Sequence, residues 1–199
     1  AQFFRIHSPI FSYFCISYRS RRGRRKSVRQ TISSFKIRVL ERMSIEDFNV
    51  MVATEEHTPF AKAICDEMAE SAKARGTGIA KRTPEYVADK MRAGKAVIAF
   101  HKDGTWAGFS YIESWGHGDY VANSGLIINP KFRKLGLAKA IKTATFFLSL
   151  KMFKGAKLFG LTTGLAVMKI NNELGYHPVT FSELTDDDQF WKGCESCVN

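Results

Sequence analysis

Hydrophobic and polar positions along the chain follow two different periods, which predicts strands as well as helices. A short apolar run at 48–54 indicates a buried strand. A helix is predicted next, because four apolar residues recur there at helical spacing, namely Phe60, Ile64, Met68 and Ala72. Thr58 is the expected cap at its start and Gly76 the cap at its end. A second helix is predicted after Thr83, since Pro84 suits the first helical position.

The second half of the chain reads mainly as strands. They are predicted at 95–100, 106–115, 120–130, 156–163 and 178–184. Helices are predicted after the basic turn at 133–138 and at 165–175. This order predicts one α/β (α+β) domain with a mixed, mainly antiparallel central sheet flanked by helices.

Basic residues are concentrated at the start of the chain. Positions 1–42 contain eleven of the 30 Lys and Arg residues but one of the 19 acidic residues, Glu41, so they carry +10 of the net charge of +11. The rest of the chain, from Met43, is close to neutral, which argues against nucleic acid as a partner of the folded part. A nucleic-acid-binding arm at 1–42 is the alternative.

The basic segment 1–42 is also rich in Ser and aromatic residues, as in a transit peptide or in sequence translated ahead of the functional start. We expect it to be a disordered leader or a non-native segment, with the folded domain at 43–185 and a tail at 186–199. No apolar run approaches the roughly 18 residues of a membrane-spanning helix. We therefore expect a cytoplasmic protein without a membrane partner.

The four cysteines, Cys15, Cys65, Cys194 and Cys197, are too few and too scattered for a secreted disulfide framework. Cys194 and Cys197 have the spacing of half a zinc site or of a redox pair. A complete zinc site would need ligands from outside this chain, and two free thiols in a tail is the alternative, so no metal is predicted.

The basic turn at 133–138 is the motif that points to a ligand. A strand, a tight glycine turn and a helix direct several backbone N–H groups and the positive helix end at one point, which suits a pyrophosphate. Gly136 allows close backbone approach, and Arg133 and Lys134 add positive charge. The alternative is the charged start of an ordinary surface helix.

The residues Arg133-x-x-Gly136-x-Ala138 match the [QR]xxGx[GA] pattern of the GNAT acyltransferase superfamily, and the Asn-Pro turn before them agrees with it. The chain from about Phe48 to Ser182 therefore resembles a GNAT N-acetyltransferase, with acetyl-CoA as co-substrate. Other stretches resemble a bacterial GNAT subgroup encoded near arginine-biosynthesis genes, which makes glutamate a candidate acceptor.

The resemblance also implies the cofactor contacts. The turn would bind the CoA pyrophosphate, and a bulged strand would pair with the pantetheine arm. Asn171 is counted among the cofactor-binding residues because it occupies the position at which many members of the superfamily carry a tyrosine general acid, a role that Asn cannot fill. The cofactor-binding residues implied are Ser124, Gly125, Leu126, Ile127, Arg133, Lys134, Leu135, Gly136, Leu137, Ala138 and Asn171.

The catalytic candidates are Glu113 and His117, the nearest groups able to take a proton from the attacking amine, directly or through water. A surface acid and a solvated loop histidine are the alternatives. Four residues are expected to bind the acceptor, from the cationic loop near position 80 and from the end of a late strand: Arg75, Arg82, Thr162 and Thr163.

The predicted function is transfer of an acetyl group from acetyl-CoA to the amine of a small molecule, by direct attack on the thioester. The alternative is a non-catalytic CoA-binding regulatory domain, because the usual tyrosine is replaced. A small-molecule amine is the expected partner, nucleic acid is not, and a homodimer is compatible with the sequence.

Overall fold

The computed structural model describes residues 14–18, 47–76, 82–162, 164–180, 183, 188, 191 and 192. Within them the strands are β1 Phe14–Tyr18, β2 Phe48–Val52, β3 Ala96–His101, β4 Trp106–Trp115, β5 Tyr120–Ile128, β6 Lys157–Thr162 and β7 His177–Val179. The helices are α1 Ala61–Arg75, α2 Pro84–Arg92, α3 Leu137–Met152 and α4 Leu165–Glu173. Short 3-10 helices lie at Glu55–Phe60, Gly116–Gly118 and Pro130–Phe132.

The strands form one sheet in the order β2-β3-β4-β5-β6-β1-β7. Every neighbouring pair is antiparallel except β5 and β6, which are parallel. The predicted mixed, mainly antiparallel sheet is therefore confirmed. The single parallel pair follows from the chain path, since α3 connects β5 to β6 as a crossover helix.

Helices cover both faces of the sheet. On one face α1 and α2 pack through Ile64, Met68, Val87 and Met91 against a cluster that includes Tyr111. On the other face α3 packs its apolar side on the sheet, and its second half meets the segment after α4 in a separate cluster. Because both faces of β4 are covered, its residues from Trp106 to Ile112 are buried without alternation.

The start of the first helix differs from its prediction. Thr54, rather than Thr58, precedes the first turn, which is the 3-10 helix Glu55–Phe60, and α1 begins only at Ala61. Thr58 lies inside this turn, where its hydroxyl donates to the Glu55 carbonyl at 2.9 Å instead of capping α1. The cap at Gly76 is confirmed, with a left-handed φ of 63°.

The predicted cap of the second helix is also confirmed. The hydroxyl oxygen of Thr83 accepts a hydrogen bond from the backbone N–H of Tyr86 at 3.2 Å, and Pro84 occupies the first helical position. The helix then ends at Arg92, with Ala93 as its C-cap residue, and the following Gly94 has a left-handed φ of 63°.

The strand β1 lies inside the segment that we assigned to a leader. It is antiparallel to β6, with Phe14 opposite Thr162, and antiparallel to β7, with Cys15 opposite Val179. Five residues of the assigned leader therefore belong to the sheet and fill the space between β6 and β7. The boundary at Met43 stays a prediction for the neighbouring residues, and the Cys194-x-x-Cys197 pair lies outside the described residues.

We predict that a chain starting at Met43 is less stable than the full chain, because β6 and β7 lose the backbone partner between them. The melting temperature should fall by roughly 5–10 °C, at about 2–4 °C per kcal/mol for a chain of this size. Calorimetry of the two chains measures the difference. A chain lacking residues 1–13 keeps β1 and is the matched control, and equal melting temperatures for all three chains would support the leader interpretation.

Candidate functional site

A bulge interrupts the pairing of β4 with β5. Phe109 lies opposite Ile127, but Tyr111 lies opposite Ser124, so β5 contains one extra residue between these pairs. Gly125 occupies the bulge with a left-handed φ of 61°. A Cβ atom there would overlap the Tyr111 ring. The bulged strand implied by the resemblance is therefore present, and it requires glycine at position 125.

Just before the bulge, β5 and β6 separate. Their parallel pairing covers only Tyr120–Ala122 on β5 and Lys157–Phe159 on β6. We call the next residues, Asn123 and Gly160, the fork vertex. No strand in the described part of the chain pairs with residues 123–128 on the side facing β6. The backbone along this edge is therefore available to an extended ligand, in the manner of an added strand.

At the far end of β5 the turn 133–138 leads into α3. Lys134 and Gly136 have left-handed φ angles of 67° and 80°, and Gly136 is the N-cap residue of the 16-residue helix. Among the described residues, none accepts a hydrogen bond from the backbone N–H groups of positions 134–138. We call these five N–H groups the amide cradle. Together with the positive end of α3 they favour an anion.

The side chain of Arg133 is directed elsewhere. Its guanidinium forms an ion pair with Glu67 on α1 at 2.6 Å and donates to the Ser71 hydroxyl at 2.7 Å. Its Nε donates to the carbonyl of Ile128 at 3.2 Å. In this structure Glu67 therefore neutralises the charge that we expected Arg133 to offer to an anion. Arg133 instead fastens the turn to α1 and to the end of β5.

A hydrogen-bonded group lies on the α1 and α2 face of the sheet beside the bulge. The carboxylate of Glu113 accepts from the Lys90 ammonium at 2.9 Å and from the Tyr86 hydroxyl. Burial and this hydrogen bond raise the pKa of Tyr86. Next along β4, the Tyr111 hydroxyl accepts from the Arg82 guanidinium. The structure thus brings Arg82 and Glu113 to the same face.

Sequence reasoning missed Tyr86, Lys90 and Tyr111. Two signals could have found them: Tyr86 and Lys90 are four residues apart on α2, and Tyr111 and Glu113 are two apart on β4, so each pair shares one face of its element.

The other predicted site residues lie away from this group. His117 is in the turn between β4 and β5, where the neighbouring Asp119 carbonyl accepts from the N–H of Lys157, at the closed end of the fork. Arg75 is exposed at the end of α1. The Thr162 hydroxyl oxygen accepts from the N–H of Gly164 at 3.0 Å, as a turn residue does, and Thr163 lies outside the described residues.

Buried polar side chains lie at and around the fork vertex. Asn123 donates to the Ser149 hydroxyl at 2.7 Å and accepts from the Tyr176 hydroxyl at 3.0 Å. Lys142, on α3, is 2% exposed, and burial lowers the pKa of its ammonium to about 7. Asn171, on α4, is 1% exposed, and its Oδ1 has no hydrogen-bond partner in the part of the chain that the structure describes.

Lys142 was not among the predicted site residues, although the sequence contains a signal for it. It is four residues before Phe146 and seven before Ser149, so it lies on the face of α3 that is directed at the sheet. A lysine on the sheet-facing side of a helix is uncommon, because charged side chains are rarely buried without a partner.

The fold was compared with solved structures. N-acetylglutamate synthase from Neisseria gonorrhoeae, solved with coenzyme A and N-acetyl-glutamate, matches with a TM-score of 0.58 and 16% identity over 74% of this chain. The chain spans 32% of that protein. A Mycobacterium tuberculosis protein in complex with CoA matches with a TM-score of 0.55 and 16% identity, over 74% of this chain and 81% of that one.

The ribosomal-protein-alanine N-acetyltransferase from Escherichia coli matches with a TM-score of 0.50 and 14% identity, over 67% of this chain and 79% of that enzyme. The chain has the GNAT fold. This confirms the predicted architecture, at identities that establish the fold and no more. No protein-family model matches the sequence, and no curated protein matches it.

Two further properties accompany the GNAT fold here. None of the described helices is both long and apolar enough to cross a bilayer. Across the same described residues, no three His, Cys, Asp or Glu side chains come together in a group that could bind a metal ion.

We predict that Gly125→Ala lowers the free energy of unfolding by roughly 2–5 kcal/mol, of which about 1–2 arise from the left-handed backbone and about 1–3 from overpacking against Tyr111. Gly104→Ala is the matched control, because Gly104 also has a positive φ, 82°, but nothing lies within 4 Å of an added Cβ. Denaturant unfolding compares the two variants, and equal losses would contradict the steric part of this argument.

Proposed function

We propose that this chain is an acetyl-CoA-dependent N-acetyltransferase that acts on the amine of a small molecule. One observation carries the proposal: the amide cradle, the unpaired edge of β5 and the fork vertex follow one another along a single path. From Ile128 back to Asn123 this path runs for about 17 Å at the usual strand rise. An extended ligand with a pyrophosphate at one end and a thioester at the other fits this order.

The residues that would bind acetyl-CoA follow from that order. The N–H groups of positions 134–138 would bind the pyrophosphate, and the backbone of Ser124 to Ile127 would pair with the amide groups of the pantetheine arm. The thioester would lie near Asn123. Acetyl-CoA supplies an activated acyl group, so the protein has to place it, exclude water and move protons.

The hydrogen-bonded residues around Glu113, namely Arg82, Tyr86, Lys90 and Tyr111, would bind the acceptor. Arg82 and Lys90 give this region positive charge, which suits the carboxylate of an amino acid, and glutamate is the acceptor that we favour. This choice is supported by the likeness to an N-acetylglutamate synthase. The acceptor nitrogen would attack the thioester carbonyl and form the C–N bond while the C–S bond breaks, and Glu113 would take the amine proton through a water molecule.

A second candidate function is a non-catalytic CoA-binding regulatory domain. It is favoured by the engagement of Glu113 with both Lys90 and Tyr86, which leaves its carboxylate less available as a base. It is also favoured by Asn171, because an amide is not a proton donor of the kind that a tyrosine provides. Both functions require the same cofactor path.

We predict that the full chain releases CoA from acetyl-CoA in the presence of one amino acid, with glutamate the first to be tested. Thiol release against a panel of amino acids measures turnover, and calorimetry measures acetyl-CoA binding separately. Binding without turnover on any amine would favour the regulatory domain, and the absence of binding would exclude both functions.

We predict that Leu135→Glu weakens acetyl-CoA binding about tenfold or more, which corresponds to roughly 1.4 kcal/mol. Leu135 is 53% exposed within the cradle, so a carboxylate there would compete with the pyrophosphate for the N–H groups without disturbing the core. Leu135→Gln has the same size and no charge, and it should bind nearly as the wild type does. Equal affinities for the two variants would place the pyrophosphate elsewhere.

A further inference from the structure

The side chain of Lys142 on α3 reaches the fork vertex, where β5 and β6 separate. Its Nζ lies 3.4 Å from the carbonyl oxygen of Asn123 on β5. On the other strand, a Cβ atom built on Gly160 would lie 3.7 Å from the same Nζ. The ammonium is therefore at the fork vertex, where the proposed path along β5 ends.

The surroundings of Lys142 contain no counter-charge among the described residues. The groups that face it are the Asn123 carbonyl from β5, the ring of Tyr176, whose centroid is 5.6 Å from Nζ, and Asn171 from α4. The acid Glu173 is paired with Lys139, one turn earlier on α3. A buried ammonium with one long hydrogen bond is costly for the fold, so a purely structural role explains it poorly.

Asn171 provides a second, independent observation. Its Oδ1 is a buried acceptor without a donor, and its Nδ2 lies 3.7 Å from the same built Cβ position on Gly160. The two atoms nearest that position, the Lys142 Nζ and the Asn171 Nδ2, are both donors, and the Asn171 side chain also carries the unsatisfied Oδ1, so two incompletely satisfied polar side chains meet beside a residue without a side chain. Such a convergence indicates a place for polar ligand atoms.

We propose that Lys142 is the catalytic acid that protonates the departing thiolate. The inference rests on the proposed function. As the acceptor nitrogen forms its bond to the carbonyl carbon, the C–S bond breaks, and its electron pair stays on sulfur. The Lys142 ammonium gives one proton to that sulfur, which leaves as the thiol of CoA, and the neutral amine regains a proton from solvent after the product departs. Asn171 accepts a hydrogen bond from the thiol or from a neighbouring N–H of the arm.

The acidity of the groups at the vertex favours this assignment. The buried ammonium, with a pKa of about 7, is a stronger acid than an ordinary thiol, whose pKa is roughly 8.5, so the proton moves downhill. Tyr176 is a poorer donor, because burial raises its pKa and its hydroxyl already donates to Asn123. Asn171 has no acidic proton to give.

The first test replaces the amine while keeping a long apolar side chain. In Lys142→Met we expect kcat to fall by about 100-fold or more, the usual contribution of a general acid, with acetyl-CoA affinity changed less than threefold. Lys151→Met is the control, because Lys151 lies on the same helix and is exposed. The acid acts only when protonated, so wild-type kcat should decline as pH rises through neutrality, and the variant should lose that decline.

The second test uses the wild-type protein and needs neither a variant nor turnover. Lysine labelled at Cε is titrated by NMR with CoA bound, and again with an analogue in which hydrogen replaces the thiol. We expect the resonance that titrates near neutral pH to change its midpoint between the two complexes, because only CoA places a titrating sulfur beside Lys142.

The outcomes separate this inference from the proposed function. A wild type that turns over, with Lys142→Met within twofold of its kcat and with the same decline at high pH, would overturn the role of Lys142 alone. Identical NMR midpoints in the two complexes would do the same. A wild type that binds acetyl-CoA and gives different midpoints, but acetylates no amine, would support the placement of the sulfur and count against the proposed function.

Discussion

The backbone conformation of Gly125 is the constraint on which the rest of the site depends. Because one residue of β5 adopts a left-handed angle, the strand takes up an extra residue against β4 and bends at the bulge. Its pairing with β6 then stops after three residue pairs. One glycine thus converts a continuous sheet into one with an open edge, and Tyr111 packs into the space that a Cβ atom would need.

The same geometry explains why polar side chains are buried at the vertex. Where two strands diverge, their facing backbone groups lose each other as partners, and buried carbonyl and N–H groups need replacements. Lys142 serves Asn123 in this way from α3, and the side chain of Asn123 is itself held between Ser149 and Tyr176. The residues of this cluster therefore both support the fold and take part in the proposed chemistry. Substituting them should cost more than substituting polar residues at the surface.

Much of the fold was predictable because local signals and the final structure agree. Pro84 after Thr83 and the glycine at 76 mark helix ends whose caps are present as expected, and the turn at 133–138 precedes a helix. The ion pair that neutralises Arg133 was not predictable in the same way, since its partner Glu67 is 66 positions away in the sequence. The group around Glu113 and the burial of Lys142 likewise depend on packing between elements that are distant in sequence.

The position of β1 has a consequence for the order of folding. Among the described residues, its partners are β6, about 140 positions later in the chain, and β7, about 160 positions later. A ribosome releases the N-terminal segment long before its partners exist, so this part of the sheet closes last and does so through distant contacts. Contacts between distant residues slow folding, so the rest of the domain has time to assemble first. Until β1 pairs with it, the edge of β6 stays open to pairing with strands of other chains.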